Sequence, residues 1–319
     1  VSPINGITSY IMNNGDMLNK GFSISLNGYP VKTKNFRWYM STYYSVNLNK
    51  VQTDDARNYN LNDYLNGTAV VSGQPISTFY SYKFLGLNPQ NGAPMFDDWE
   101  DRWHLLQGKT LDEVVPMILV NSGTRDPKFS GDLNNTFTYK NWSLSLNFSY
   151  SLGSKVRLFE MYGPIINGIS AAANVREEFL DRWQVPGDEK YTVYPLIISP
   201  SSPDYEHYRL HYSAPQRAVG PNSGVPAFAN NVWQMYDDSD LRVVSGNYLK
   251  LQSLSFSYRL NDRLLRKTPF TQLSISFNTH NCFTISAKEL RGQDPSQAGF
   301  ADAGLSIRPS YTIGLNVSF

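Results

Sequence analysis

Side chains that alternate between apolar and polar constrain this sequence more than any other feature. In the closing stretch PSYTIGLNVSF, Tyr311, Ile313, Leu315, Val317 and Phe319 fall on one face, and Thr312, Gly314, Asn316 and Ser318 on the other. A period of two puts successive side chains on opposite faces of a β-strand. The pattern returns at Phe22, Ile24 and Leu26, through FRWYMSTYYSVNL, at Phe137 and Tyr139, and from Trp142 through Leu144, Leu146 and Phe148 to Tyr150. It appears again at Leu254, Phe256, Tyr258 and Leu260, and at Leu273, Ile275 and Phe277. Lys140 and Asn141 between two such runs predict a hairpin with a minimal turn. A bare apolar strand at a chain end invites pairing with other chains. The last strand is therefore expected either to be sealed by a neighbour or to face something other than water.

Two architectures fit this alternation: a soluble sandwich with a dry core, and an antiparallel transmembrane β-barrel whose apolar face meets lipid. Aromatic residues make up 14% of the chain, with 21 Tyr and 17 Phe, while the mean hydropathy is only -0.39. A polar average with an aromatic excess suits interfacial strands better than a greasy core. Turns expected at 28–35, 140–141 and 261–270 are short, whereas the connections 49–75, 87–130, 153–246 and 286–309 are long. Structureless loops of such length are uncommon in compact soluble domains, so the barrel is the better reading. If the last strand runs inward, 153–246 and 286–309 lie outside the cell. The parity of the strands then calls for two more between Val46 and Thr136, for which Thr78 to Leu85 and Val114 to Val120 are the candidates.

Composition excludes several functions. Lys and Arg total 28 against 27 Asp and Glu, a formal charge of +1 that gives a polyanion no handle, so no nucleic-acid partner is expected. The apolar run Val114 to Val120 is far too short for a membrane helix. The single Cys282 can make no internal disulfide and reads as a small strand residue. The first residues carry no basic and apolar export signal, so a targeting signal is expected to lie outside this chain.

Catalysis finds little support, because nucleophile-elbow, Walker and Rossmann glycine patterns are all missing from the sequence. His207 and His211 in EHYRLHY stand four apart but have no third ligand nearby, so neither a metal nor a cofactor is expected. In FDDWEDRWH, Trp99 and Trp103 stand among four carboxylates. Indoles stack on sugar rings and carboxylates accept hydroxyl hydrogen bonds or hold calcium, while the plainer reading is a solvated loop on the barrel rim. Tyr205, Tyr208, Tyr212, Trp233 and Tyr236 form a second aromatic group beside Asp237, Asp238 and Asp240. That group is a candidate contact for substrate or partner, with packing within the loop as the alternative.

The motifs NNGDMLNKGFSISL, GQPISTFYSYKFLGLNPQNGAPMF, DPKFSGDLNNTFTYKNWSLSLNFSYSLG, DRWQVPGDE, GNYLKLQSLSFSYRL, NCFTI, GQDPS and YTIGLNVSF occur in this order along nearly the whole chain. Together they resemble the C-terminal third of a SusC/RagA-type TonB-dependent outer-membrane transporter. The resemblance implies that residues 1–319 are the C-terminal portion of a large plugged barrel, with about eight strands at roughly ten residues each. The plug and the remaining strands would lie outside this chain. It also implies energised import of oligosaccharides or peptides through the plug and TonB, with a SusD-type surface lipoprotein as lid and 153–246 as a long extracellular loop. DRWQVPGDE is expected to be a local clasp, and the apolar set ending at Phe319 to face membrane lipid. The competing reading is a passive porin-like or adhesive barrel.

Overall fold

The structure is a computed structural model that describes residues 15–52, 59–97, 102–106, 108–165, 174–197, 201, 205, 232–297 and 307–319, with only the backbone at 103 and 297. Its strands are β1 (Met17–Lys32), β2 (Phe36–Val51), β3 (Thr78–Tyr82), β4 (Gly86–Leu87), β5 (Pro94–Met95), β6 (Leu119–Thr124), β7 (Phe129–Tyr139), β8 (Trp142–Leu152), β9 (Lys155–Arg157), β10 (Val243–Ser245), β11 (Tyr248–Arg259), β12 (Gln272–Ser286) and β13 (Ser310–Ser318). Seven of them form one antiparallel sheet in the order β1-β2-β7-β8-β11-β12-β13. The sheet is open, with β1 and β13 as its edges. β13 pairs with β12, Ile275 facing Leu315 and Phe277 facing Ile313.

The pairing carries one face across the whole sheet. Ile24, Tyr44, Gly131, Tyr150 and Leu249 lie in one cross-strand row, and Trp38, Phe137, Leu144, Phe256, Phe277 and Ile313 in another. Since a one-residue slip would invert a strand, seven strands agreeing on one face is a strong statement of register. That face is apolar and uncovered: Leu26 is 60% exposed and Ile313 79%. The opposite face carries Ser45, Ser130, Ser151, Ser257, Ser276 and Asn316. There Ser255 donates to Asn278 (2.7 Å) and Gln252 to Ser149 (2.8 Å). Among the polar residues on the apolar face is Asn135, whose Oδ1 accepts the Trp38 indole N–H at 3.0 Å.

Aromatic rings gather toward both ends of the sheet. Trp38 stacks on Phe137 and Trp142 on Phe256 near the short turns, while Tyr44 stacks on Phe129 near the long connections. Gly131 sits in the Tyr44 to Tyr150 row because a Cβ there would collide with the Tyr43 carbonyl oxygen and the Tyr150 ring. The missing side chain lets that ring lie across β7, a known means of covering a strand glycine.

The parity problem resolves without further strands in the sheet. β2 pairs directly with β7, so 52–128 is a single excursion at one end. The expected strand at Val114 to Val120 is mostly helix: α2 spans Leu111–Ile118, opened by a Thr110/Glu113 capping box, and only then does β6 begin. β3 does form within Thr78 to Leu85, but it pairs with β6 in a separate two-stranded sheet. The first turn is also shorter than expected, since β1 runs on through a bulge between Gly28 and Val31 to Lys32. β1 and β2 have 16 residues each, well beyond the 9–11 that span a bilayer.

Candidate functional site

The long connections 52–128, 153–247 and 287–309 all leave the same end of the sheet, and there they build a second structure. Among the described residues, every member of the main buried apolar cluster belongs to the first two connections, including Tyr64, Leu65, Tyr82, Val114, Met161, Trp233 and Tyr236. The seven-stranded sheet contributes none. α1 (Leu61–Asn66) is held by a reciprocal Asn60/Asp63 capping box and stopped by Gly67 in the left-handed region. This stop is one glycine suits, because φ is +67° and a Cβ would press on Phe79.

The acidic run at 237–240 splices the connections together. Asp237 closes the short helix Val232–Asp237, and its carboxylate accepts the backbone N–H groups of Met161 (2.9 Å), Tyr162 (2.8 Å) and Gly163 (2.8 Å). Asp238 pairs with Arg157, whose guanidinium also donates to the Tyr80 carbonyl (2.6 Å) and Ser81 Oγ (2.8 Å). Asp240 accepts from the Phe84 N–H at 2.9 Å. Burial raises the Asp237 carboxyl to about 6 against the opposing backbone N–H bonds, and burial lowers Arg157 against the pull of Asp238. Asp240 thus joins the second connection to the first directly and Asp238 does so through Arg157, while Asp237 ties two distant stretches of the second connection together.

Two further joints lie in motifs singled out above. In DRWQVPGDE, Asp188 accepts from the Gln184 and Val185 N–H groups while Trp183 is buried against Gly92, whose φ of +66° and missing Cβ admit the indole. The segment is a clasp onto the 86–96 stretch. In GQDPS, the Gln293 carboxamide accepts from Phe159 N–H (3.0 Å) and donates to the Arg157 carbonyl (3.0 Å), and Asp294 forms a buried ion pair with Lys250 of β11 (3.0 Å). Burial pushes the Asp294 carboxyl up, but bonds from Ser296 and Lys250 outweigh it and hold it low.

The sequence is 23% identical over 343 residues to TonB-dependent receptor P3 of Formosa agariphila and 21% identical over 371 residues to TonB-dependent receptor P39 of the same organism, with 98% of this chain covered in each case. The chain spans 30% and 31% of their lengths. No family model matches the sequence. The fold is similar to the RagAB peptide transporter, with a TM-score of 0.65 and 18% identity, over 100% of this chain and 31% of that one. A structure of the RagAB peptide importer in its "closed-closed" state superposes with a TM-score of 0.63. The chain has the fold of part of a SusC/RagA-type TonB-dependent receptor barrel.

Placed on this fold, the aromatic candidates separate. Trp233 and Tyr236 are 4% and 0% exposed, and Tyr205 stacks on Trp233 with centroids 6.2 Å apart. The Trp233 indole donates to the Leu196 carbonyl at 3.1 Å, and Tyr162 meets Tyr236 edge to face at 5.3 Å. These three side chains are packing elements of the connections, which corresponds to the plainer of the two readings of that group. Trp99, Tyr208, Tyr212, His207 and His211 lie outside the described residues, as does the side chain of Trp103. Tyr311, Ile313, Leu315, Val317 and Phe319 share the exposed apolar face.

A feature not anticipated from the sequence is a cavity of about 270 Å³ in the first excursion, lined by Tyr59, Tyr64, Tyr80, Asp112 and Gln74 with valines and Pro116 beneath. The Tyr64 hydroxyl donates to Asp112 Oδ1, and burial followed by that bond holds Tyr64 protonated well above the ordinary range. The tyrosines of NYNLNDYLN and STFYSY were visible in the sequence. Their convergence depends on the β3–β6 pairing, which no local pattern announces.

Proposed function

We propose that this chain forms part of an energised outer-membrane importer of nutrients, oligosaccharides or peptides, that works with a SusD-type surface lipoprotein. The observation that carries the reading is the seven-stranded sheet, apolar on one face and serine-rich on the other, with its long connections packed together at one end. In this reading the apolar face, including Tyr311, Ile313, Leu315, Val317 and Phe319, meets lipid, and the polar face lines the lumen around a plug. The packed connections, 153–246 among them, lie outside the cell, roof the lumen and present the surface to which the lipoprotein docks. No covalent chemistry is required. Substrate is captured outside, enclosed, and released inward when the plug is pulled through TonB. The similarity to TonB-dependent receptors and to the RagAB peptide transporter supports this reading.

The test uses cells carrying the whole receptor. Uptake of labelled oligosaccharide and peptide pools should cease when the proton gradient is collapsed, and the lipoprotein should co-purify with the receptor. Uptake that survives uncoupling would replace this reading with a passive porin. A spin label at position 313 should be relaxed by oxygen and not by a water-soluble nickel complex; the opposite result would turn the sheet inside out.

A further inference from the structure

The geometry points to the cavity between α1, β3 and α2 as a binding site for an organic ammonium group, such as a lysine side chain, carried by the ligand. Three tyrosine rings meet there at two near-right-angle corners. Tyr59 and Tyr64 stand 6.2 Å apart at 79°, and Tyr64 and Tyr80 stand 5.9 Å apart at 71°. Rings set as adjoining walls surround a small cation with their negative faces, whereas a flat sugar ring needs one broad open face. The charge at the rim agrees. Asp112 is the carboxylate of the cavity, and neither Lys nor Arg is among its lining residues. Its Oδ1 is taken by the Tyr64 hydroxyl, which leaves Oδ2 for the ligand.

Size decides against a whole sugar. The Tyr64 hydroxyl proton is spent on Asp112, and Gln74 Oε1 accepts from Asn121 Nδ2 at 3.1 Å. An ammonium with an aliphatic stem needs one anion, aromatic faces and an apolar floor. Val70, Val71 and Val115 supply that floor. At about 270 Å³ the cavity falls below the range of roughly 300–1,000 Å³ typical for whole small-molecule ligands, so it admits one side chain or terminus. The inference rests on the import reading for the origin of the ligand and deepens it toward amine-bearing substrates.

The experiment titrates the whole receptor in detergent with N-acetyl-lysine methylamide and with its ε-acetylated counterpart, by calorimetry. The charged probe should bind at least tenfold more tightly than the neutral one, because the cation–π contacts and the Asp112 carboxylate act on it together. Asp112→Asn and Tyr59→Leu should each weaken the charged probe several-fold, and Tyr59→Phe, which keeps the aromatic face, should not. Equal binding of the two probes, no binding of the charged probe at millimolar concentration, or equal loss in the two Tyr59 variants would overturn the site. Uptake assays separate the two proposals: intact energised import with no preference for the charged probe sinks the ammonium site alone, and amine binding without import sinks the import reading alone.

Discussion

Replacing Asp237 by alanine should loosen the packed connections and leave the sheet intact. The carboxylate is 3% exposed, with Oδ2 accepting from Tyr162 and Gly163 and Oδ1 from Met161. Alanine strands three buried donors, each costing about 1–3 kcal/mol when unsatisfied. Because neighbouring penalties do not add fully, the local destabilisation should be about 3–5 kcal/mol. Asparagine retains one oxygen, which can still serve Tyr162 and Gly163, and turns an amide toward Met161, so its cost should be nearer one donor, roughly 1–3 kcal/mol. Tyr162 transmits the loss, since its hydroxyl donates to the Pro195 carbonyl (2.6 Å) and its ring packs on Phe179 (5.1 Å). Amide hydrogen exchange by mass spectrometry on the whole receptor in detergent reads this directly. Peptides over 159–165 and 177–197 should exchange roughly 150- to 4,000-fold faster in the alanine variant, since roughly 1.4 kcal/mol is tenfold, while β7 and β8 stay protected. Equal effects of alanine and asparagine, or β7 and β8 opening in step, would refute the splice.

Three shorter expectations follow from other parts of the molecule and a fourth from Asp237 itself. Tyr236→Phe should leave stability unchanged or raise it by up to about 1 kcal/mol, because the fully buried hydroxyl has no hydrogen-bond partner among the described residues; a tenfold fall in uptake at unchanged melting temperature would instead give that hydroxyl a contact role. Gly131→Val drives a side chain into the Tyr43 carbonyl and the Tyr150 ring, and should reduce the heat-modifiable folded band on gels, with an unchanged band counting against the row. Lys250→Ala leaves Asp294 buried and unpaired, a loss of about 3–5 kcal/mol, and adding Asp294→Asn should recover much of it in a protease assay of the β12–β13 connection. The fourth concerns pH: the folded Asp237 carboxyl titrates at about 6, above its ordinary 3.8, so protonation favours the folded form. Its contribution grows as pH falls from about 7 toward 4 and is lost as pH rises through 6, so the stability difference between wild type and Asp237→Asn should shift toward wild type on acidification, and a shift the other way would contradict the burial argument.

What could be read from the sequence, and what could not, divides along the same line as the two structures. The strands of the sheet were legible because each has two unlike environments, and side-chain alternation records that locally: β7, β8, β11, β12 and β13 lie where alternation put them. The excursions have one environment, a small core in which partners come from distant positions. Arg157 meets Asp238 across 81 residues and Tyr64 meets Asp112 across 48, so no window of sequence contains the reason for either side chain. Val114 and Val115 show how such a segment misleads. As β-branched neighbours they suggest a strand, yet Thr110 and Glu113 form the capping box that starts a helix before them, and their burial at 0% and 2% follows from that helix. Trp233 and Tyr236 are hard to read from sequence for a related reason. A cluster of Tyr and Trp in a long loop reads as a contact surface only if the loop lacks a core of its own; here the connections have one, and Trp233 and Tyr236 are inside it. In the proposed ammonium site the contacts come from side chains that border this core without being absorbed by it, as Tyr59 and Asp112 do.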